Sequence, residues 1–388
     1  MRQVKKNFSS RLIKRLIPLL LITLVVGFSF AQCQSWEPEE YYEPEEQHEP
    51  SETPRWSGYN PFPLFAYEMV PDFGPPVVKE QKWTGPRNPL TGLPTEEDIS
   101  HYRPIAIVIN NVRESMPQVG ISQADIIYEV LVEGGITRML AIFQDVSDVG
   151  RIGTVRSARA YTVDIAQSYD AIFVFAGGSP QAYAAVRNRG INHLDDITGR
   201  GSGAFVRDNS RRAPNNLFTS GAGLARTIPN MNFRTELPEG YIRALSFVED
   251  GTPADGDVAM DFTVQFGTGS KTTSFTFNEE TRRYYLRQYG AAYVDAGNNQ
   301  QVAVTNVLIL KMATSGIAGD TAGRLQITTT GTGTGYFVNG GYVIPINWSR
   351  DGVGGQFRYT TLDGQELMLG MGRTYICIIR PNMTVEFN

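Results

Sequence analysis

Residues 124–145, "ADIIYEVLVEGGITRMLAIFQD", give the main indication of the fold. Two runs rich in isoleucine, valine and leucine flank the pair Gly134-Gly135, a pattern typical of a tight β-hairpin. If these glycines form the turn, Ile126 and the alternate residues after it lie opposite Phe143 and the alternate residues before it. That face of the hairpin is predicted to be core.

The other face of the predicted hairpin carries charge. Glu129 and Glu133 lie on one strand, and Arg138 on its partner lies diagonal to both acids. Opposite charges at these positions interact across a ladder. The sequence therefore predicts a cross-strand ion network.

Further strand signals lie on both sides of the hairpin. Upstream, "RPIAIVINN" (103–111) predicts a buried strand. Downstream, "DAIFVFAGGSPQAYAAV" (170–186) predicts a strand, a glycine turn and a helix that begins near Pro180. Such strand-to-helix turns bind ligands at the strand ends of α/β sheets. The turn lacks the lysine of a P-loop and the chain has no G-x-S-x-G motif, so nucleotide hydrolysis and serine-hydrolase chemistry are not supported.

Between these elements lies "GRIGTVRSARAY" (150–161), which holds three arginines and no acid. Ser157 is predicted to cap a helix, which places Arg156 just before the helix and Arg159 in its first turn. Cations there oppose the helix dipole, and an anionic ligand would explain them. The alternative is that the arginines pair with nearby carboxylates and join helix to sheet. Both interpretations stay open on the sequence.

A later segment, "FVRDNSRRAPNNLFTS" (205–220), adds polar residues that form either part of a site or solvated surface. The chain has two cysteines and three histidines without zinc spacing, so we expect no metal and no cofactor. Catalytic residues are not assigned. The candidate ligand-binding residues are Arg138, Arg156, Arg159, Glu129, Glu133, Arg211 and Asn215.

The N-terminus has the pattern of an export signal, predicted over residues 1–32. Six basic residues and no acid precede Leu16, and the run from Leu16 to Ala31 is almost wholly apolar. The run is short and contains Pro18, which favours a cleaved or lipidated signal over a permanent membrane helix. "SFAQC" allows cleavage after Ala31 or lipid attachment at Cys33. We expect an extracytoplasmic protein, tethered to the outer face of the cell membrane by its N-terminus.

Residues 33–84 are predicted to form an extended acidic tether. "WEPEEYYEPEEQHEPSETP" (36–54) carries eight glutamates and repeated prolines before any basic residue. Like charges repel and proline blocks regular pairing, so this segment is expected to be disordered. Its charge also repels nucleic acid, which is not an expected partner.

The remaining chain is predicted to be an α+β protein with two domains that fold as distinct units. Residues 85–240 are expected to form an N-terminal α/β domain whose mixed sheet contains the Gly-Gly hairpin. Residues 241–388 show short strand signals separated by turns such as "NGG" (339–341), and predict a β-rich C-terminal domain. Cys377, in "RTYICIIR", is expected to be a buried apolar residue of a core strand.

Several motifs together resemble the YerB-like lipoproteins, a bacterial family of domains without an assigned function. The resemblance implies an exported, membrane-tethered protein with an N-terminal α/β domain and a separate C-terminal domain. It places the lipid-attachment cysteine at Cys33 and supplies no catalytic residues. The motifs that carry it, in order, are "NPLTGLP", "RPIAIVINN", "SQADIIYEVLVEGGITR", "VRSAR", "AGGSPQAY" and "RRAPNNLFTS".

Two classes of function are compatible with these patterns. The first is a cell-envelope protein that binds an anionic glycan or a lipid-linked phosphate through its arginines. The alternative is an envelope enzyme of phosphoryl or glycosyl transfer at the same cleft, because the arginine pattern loosely resembles that of LytR-type phosphotransferases. Leu140 stands where that pattern has an aspartate, two residues after Arg138, which argues against metal-assisted transfer. Whether the chain is an enzyme stays open, and binding is favoured.

Overall fold

The computed structural model describes residues 83–267 and 271–388, which belong to one compact unit. Among these residues no helix is long and apolar enough to cross a membrane. The α-helices are α1 (Ala160–Ser168), α2 (Pro180–Asn188) and α3 (Gly221–Thr227). Short 3-10 helices span Arg113–Ser115, Ile121–Gln123, Glu133–Gly135, Ser202–Ala204 and Ile228–Met231.

The strands before residue 240 are β1 (Ile105–Asn111), β2 (Ile126–Leu131), β3 (Thr137–Phe143), β4 (Arg151–Gly153), β5 (Ile172–Phe175), β6 (His193–Asp195), β7 (Phe205–Arg207) and β8 (Leu217–Ser220). Those after it are β9 (Ser246–Val248), β10 (Asp257–Val258), β11 (Asp261–Gln265), β12 (Thr272–Asn278), β13 (Arg283–Gln288), β14 (Ala291–Ala292), β15 (Val294–Asp295), β16 (Gln300–Gln301), β17 (Ala303–Val304), β18 (Asn306–Lys311), β19 (Thr314–Gly316), β20 (Leu325–Ile327), β21 (Gly331–Asn339), β22 (Tyr342–Arg350), β23 (Arg358–Thr361), β24 (Met368–Gly370) and β25 (Thr374–Ile379). The described chain is therefore mostly β.

An 11-stranded mixed sheet forms the centre of the molecule, in the order β10-β22-β21-β18-β25-β2-β3-β1-β5-β6, with β23 beside β22. The strands β1, β5 and β6 run parallel to one another, so their carboxyl ends meet at one edge of the sheet. All seven residues of β1 are buried, which confirms the strand predicted from "RPIAIVINN".

The last strand of the chain joins the two halves of this sheet. β25 pairs in parallel with β2 on one side and with β18 on the other. Cys377 of β25 is fully buried, as predicted, and burial raises the pKa of its thiol well above the usual value. The shared sheet differs from the expectation of two separate folding units, because a strand from the end of the chain continues the sheet of the first segment.

Each face of the sheet is covered by a different layer. On one face, apolar residues of β2 and β3 such as Ile127 and Met139 pack with Phe262, Phe275 and Tyr284 from the small sheet β11-β12-β13-β14. On the other face, helices α1 and α2 cover residues that include Tyr128 and Leu140, together with Phe337 and Trp348 from the second half of the chain.

The pairing of β2 with β3 is shifted by one residue from the predicted register. Ile126 pairs with Ile142 and Val130 with Arg138, and a loop from Val132 to Ile136 connects the strands. A slip of one residue exchanges the two faces of a strand. The predicted network is therefore wrong for Glu129, which lies on the face opposite Arg138 and Val130, whereas Arg138 does pair with Glu133.

Helix α1 begins later than predicted. Ala158 donates its backbone N–H to Gly177 and accepts one from Ser179, so extended backbone continues to Arg159. The helix starts at Ala160, and Arg159 is its N-cap residue. The prediction that Ser157 caps the helix is wrong. Helix α2 does begin at Pro180, where Ser179 accepts a hydrogen bond from the N–H of Ala182.

Candidate functional site

A cavity of about 410 Å³ lies at the carboxyl end of β5. We call it the Arg156 cavity. An extended segment before α1 forms one wall, since the N–H of Arg156 donates to Val108 of β1 and its carbonyl accepts from Ala176, which follows β5. The cavity is lined by Val155, Arg156, Ser157, Ala176, Gly177, Gly178, Tyr183, Ile197, Arg207, Pro214 and Leu217.

The guanidinium of Arg156 is the cavity's most distinctive group. Its Nε is buried and has no hydrogen-bond partner within residues 83–267 and 271–388. Burial lowers the pKa of Arg156, and the neighbouring charge of Arg159 lowers it further. An unpaired cation that has lost part of its hydration is costly unless an anion is supplied. This side chain therefore has the properties expected of a ligand-binding group.

Arg159 and Arg138 have a different environment from Arg156. Both pair with Glu133: Arg159 through a close bidentate contact, with Nε 3.0 Å from Oε2, and Arg138 with Nη2 3.3 Å from Oε1. Arg138 also donates to the carbonyl of Ser157 at 2.9 Å. These two arginines connect the hairpin loop to the start of α1, as the alternative of pairing with carboxylates predicts. Of the three arginines, Arg156 is therefore the remaining candidate for binding a ligand.

The charges around Glu133 do not balance. Burial opposes ionisation of Glu133, but Arg159 and then Arg138 outweigh it and hold the pKa of Glu133 below its usual value. Burial, followed by repulsion from Arg159, lowers the pKa of Arg138 to about 10. Arg138, Arg156 and Arg159 face this single acid, so the cluster keeps positive charge next to the cavity.

Several groups at the rim of the cavity are not among the candidate ligand-binding residues predicted from the sequence. Tyr183 donates from its hydroxyl to Asp195 at 3.0 Å, and the N–H of Gly177 donates to the same carboxylate at 2.7 Å. Arg207 reaches the cavity while paired with Asp196. The motif "AGGSPQAY", which contains Tyr183, was the available signal for this part of the site.

Glu129 is not among the residues that line the Arg156 cavity, and it lies on the face of β2 opposite Arg138. It is fully buried and pairs with Lys271, whose Nζ is 2.6 Å from Oε1. Burial opposes ionisation of Glu129, but Lys271 and several hydroxyl donors outweigh it and lower its pKa. The prediction that Glu129 belongs to the arginine site is therefore wrong. No sequence pattern indicated Lys271 as its partner.

The structure also separates Arg211 and Asn215 from Arg156. Arg211 donates to the backbone carbonyls of Ser115 and Pro117, and it lines a second cavity of about 370 Å³ with Arg151. Asn215 accepts a hydrogen bond from Asn110 at 2.8 Å, although its neighbour Pro214 lines the Arg156 cavity. Neither side chain supplies a free charge to that cavity.

Three predictions lie outside the described residues. They are the export signal, most of the acidic tether, and lipid attachment at Cys33.

Comparison with known proteins confirms the resemblance found in the sequence. The family described as "Protein of unknown function (DUF3048) N-terminal domain" matches residues 90–234, and its C-terminal counterpart matches residues 262–376. The protein described as "Putative lipoprotein YerB" of Bacillus subtilis is 32% identical over 293 residues, covering 75% of this chain and 85% of the relative. The crystal structure of Bacillus subtilis YerB has a TM-score of 0.68 and 28% identity, and the match covers 77% of this chain and 99% of that one.

Both family domains follow in order, and the relative is matched over most of its length. The chain belongs to the DUF3048 family and is a relative of YerB.

Proposed function

We propose that this chain is an extracytoplasmic, membrane-tethered binding protein of the cell envelope, and that its Arg156 cavity holds the anionic group of a glycan or of a lipid-linked phosphate. The observation that carries the proposal is the Arg156 guanidinium, whose buried Nε has no partner within the described chain and which lines an open cavity.

Two further features support an anion. Arg138 and Arg159 add positive charge that Glu133 alone does not balance. Helix α2 also begins beside the cavity, at Pro180, two residues after Gly178, and the positive end of a helix dipole favours negative charge. The buried carboxylate of Asp195 opposes this field, but it already accepts hydrogen bonds from Gly177, Tyr183 and Ile197.

The cellular location rests on the N-terminal pattern of the sequence and on the lipoprotein description of the relative from Bacillus subtilis. A basic segment followed by a short apolar run is the pattern of an export signal. A ligand at such a location belongs to the envelope, where phosphates and acidic sugars are the common anions.

Calorimetric titration with pyrophosphate and with an acidic oligosaccharide tests the proposal. Loss of a charged hydrogen bond costs roughly 1.5 to 3 kcal/mol, so we expect Arg156→Gln to weaken binding of the preferred anion roughly ten- to hundredfold. Arg212, an exposed arginine, supplies the matched control Arg212→Gln, which should bind as the wild type does.

The two ligands distinguish a phosphate site from a carboxylate site. Equal affinity of the wild type and Arg156→Gln for both anions would contradict the proposal. The same would follow from the absence of heat with either anion.

A further inference from the structure

A group of buried polar side chains surrounds Glu129, apart from the residues that line the Arg156 cavity. Asn111 ends β1, Glu129 lies in the middle of β2, and Lys271 directly precedes β12. Asn111 and Glu129 are fully buried, and the side chain of Lys271 is 2% exposed. An amine, an amide and a carboxyl group are thus enclosed together in the core.

One carboxylate oxygen contacts both nitrogens. Oε1 of Glu129 accepts from Lys271 Nζ at 2.6 Å and from Asn111 Nδ2 at 2.8 Å. The amine and the amide are therefore held side by side by the same atom. The other oxygen, Oε2, accepts from the hydroxyls of Thr273 at 2.7 Å and Tyr375 at 2.6 Å, which fixes the orientation of the carboxyl group.

We propose that Lys271 and Asn111 are joined by an intramolecular isopeptide bond, formed after folding with Glu129 as the catalytic acid and base. A bond forms between Nζ of Lys271 and Cγ of Asn111, and the bond from Cγ to Nδ2 breaks. Glu129 accepts one proton from the lysine ammonium and keeps it, and the second proton that the attacking nitrogen loses passes to Nδ2, which leaves as ammonia. No oxidant or other reactant is consumed.

The surroundings favour each step. Burial lowers the pKa of Lys271, which makes the neutral, nucleophilic amine more accessible than in water. Proximity supplies much of the remaining rate, because the reacting groups are held together by the fold.

The asparagine amide also has an orientation suited to attack. Its Oδ1 is buried and has no hydrogen-bond partner in the described part of the chain, whereas Nδ2 lies between Glu129 and the Thr137 hydroxyl at 2.9 Å. A rotation of the amide exchanges these atoms. The carbonyl oxygen then accepts from protonated Glu129, and this polarises Cγ toward the amine.

Such a bond would connect the two family-matched segments. Asn111 belongs to the first segment and Lys271 to the second. The only cysteine in the described chain, Cys377, is free, so the described core has no disulfide. A covalent link between β1 and the start of β12 would hold the small sheet on the large one.

Peptide mapping of the denatured full-length chain by mass spectrometry tests the proposal. We expect trypsin not to cleave after Lys271, and we expect a branched peptide containing Asn111 and Lys271 whose mass is lower than the sum of its parts by one ammonia. Separate, unmodified peptides in the wild type would overturn the proposal, and this result does not depend on whether any variant folds.

Variants identify the chemistry. Lys271→Arg and Glu129→Gln should both lose the branched peptide, whereas Lys311→Arg, at the other lysine of the described chain, should keep it. Ammonia is also lost when the side chain of Asn339 cyclises with the backbone of Gly340, or when a glutamine at the N-terminus of a chain cyclises. A mass deficit that persists in Lys271→Arg, with no branched peptide in the wild type, would therefore contradict the isopeptide bond.

Discussion

Replacing Glu133 with glutamine is expected to lower the free energy of unfolding by about 2–4 kcal/mol, less than for a fully buried ion pair because the Glu133 side chain is 24% exposed. The carboxylate holds Arg159 and Arg138, whose side chains are 8% and 5% exposed. Without it, these guanidinium groups repel each other and Arg156 in a poorly hydrated environment. Chemical denaturation of wild type and variant measures the difference.

A surface ion pair provides the control for this experiment. Asp250 and Arg282 are paired at 2.9 Å but are 60% and 53% exposed, so Asp250→Asn should change stability by less than about 1 kcal/mol. Similar effects of the two substitutions would show that the Glu133 cluster is not a buried structural unit.

The Glu133 contribution should also depend on pH. Its pKa is lowered on folding, so its stabilisation is present above the usual glutamate pKa and is lost as the pH falls through the folded value. The wild type should therefore lose stability over that acidic range more steeply than Glu133→Gln.

Lys271→Met is expected to have an effect of similar size, about 3–5 kcal/mol, because it leaves the fully buried carboxylate of Glu129 without its cation. The variant also cannot form the proposed isopeptide bond, which adds to the loss. Denaturant titration measures it. Lys311→Met is the matched control, since within the described residues the interaction of its Nζ is with the face of the Tyr336 ring, at 5.3 Å.

A second substitution separates the charge effect from packing. In the double variant Glu129→Gln, Lys271→Met no buried charge is left unpaired, so part of the lost stability should return. A single variant as stable as the wild type, or a double variant less stable than additivity predicts, would contradict the role assigned to this pair.

Local sequence patterns predicted elements better than their pairing. The apolar run at Ile105–Asn111 and the proline at position 180 marked a strand and a helix start that the structure contains. The Gly134-Gly135 pair located the turn between β2 and β3, and both glycines have a φ of 72°. The glycine pair could not define the length of the loop, because a longer loop that includes the same glycines also connects the two strands. The resulting change in register places Glu129 and Arg138 on opposite faces of the hairpin.

Contacts between residues that are far apart in the sequence could not be predicted from local patterns. The neighbours of β25 depend on parallel pairing with strands from both segments, and parallel pairing requires long connections that leave no local signal. Lys271 meets Glu129 across 142 residues of sequence. The composition of residues 150–161 indicated a cluster of arginines. Only the side-chain positions show that Glu133 pairs with Arg138 and Arg159 and not with Arg156.

A crystal structure grown with tungstate, a heavy analogue of phosphate, tests whether Arg156, whose Nε has no partner within the described chain, binds an anionic ligand. We expect the anion in the Arg156 cavity, within hydrogen-bond distance of the Arg156 guanidinium, and we expect it to be absent from crystals of Arg156→Gln. An empty cavity at saturating tungstate, or Arg156 paired with a carboxylate of the protein itself, would contradict the account.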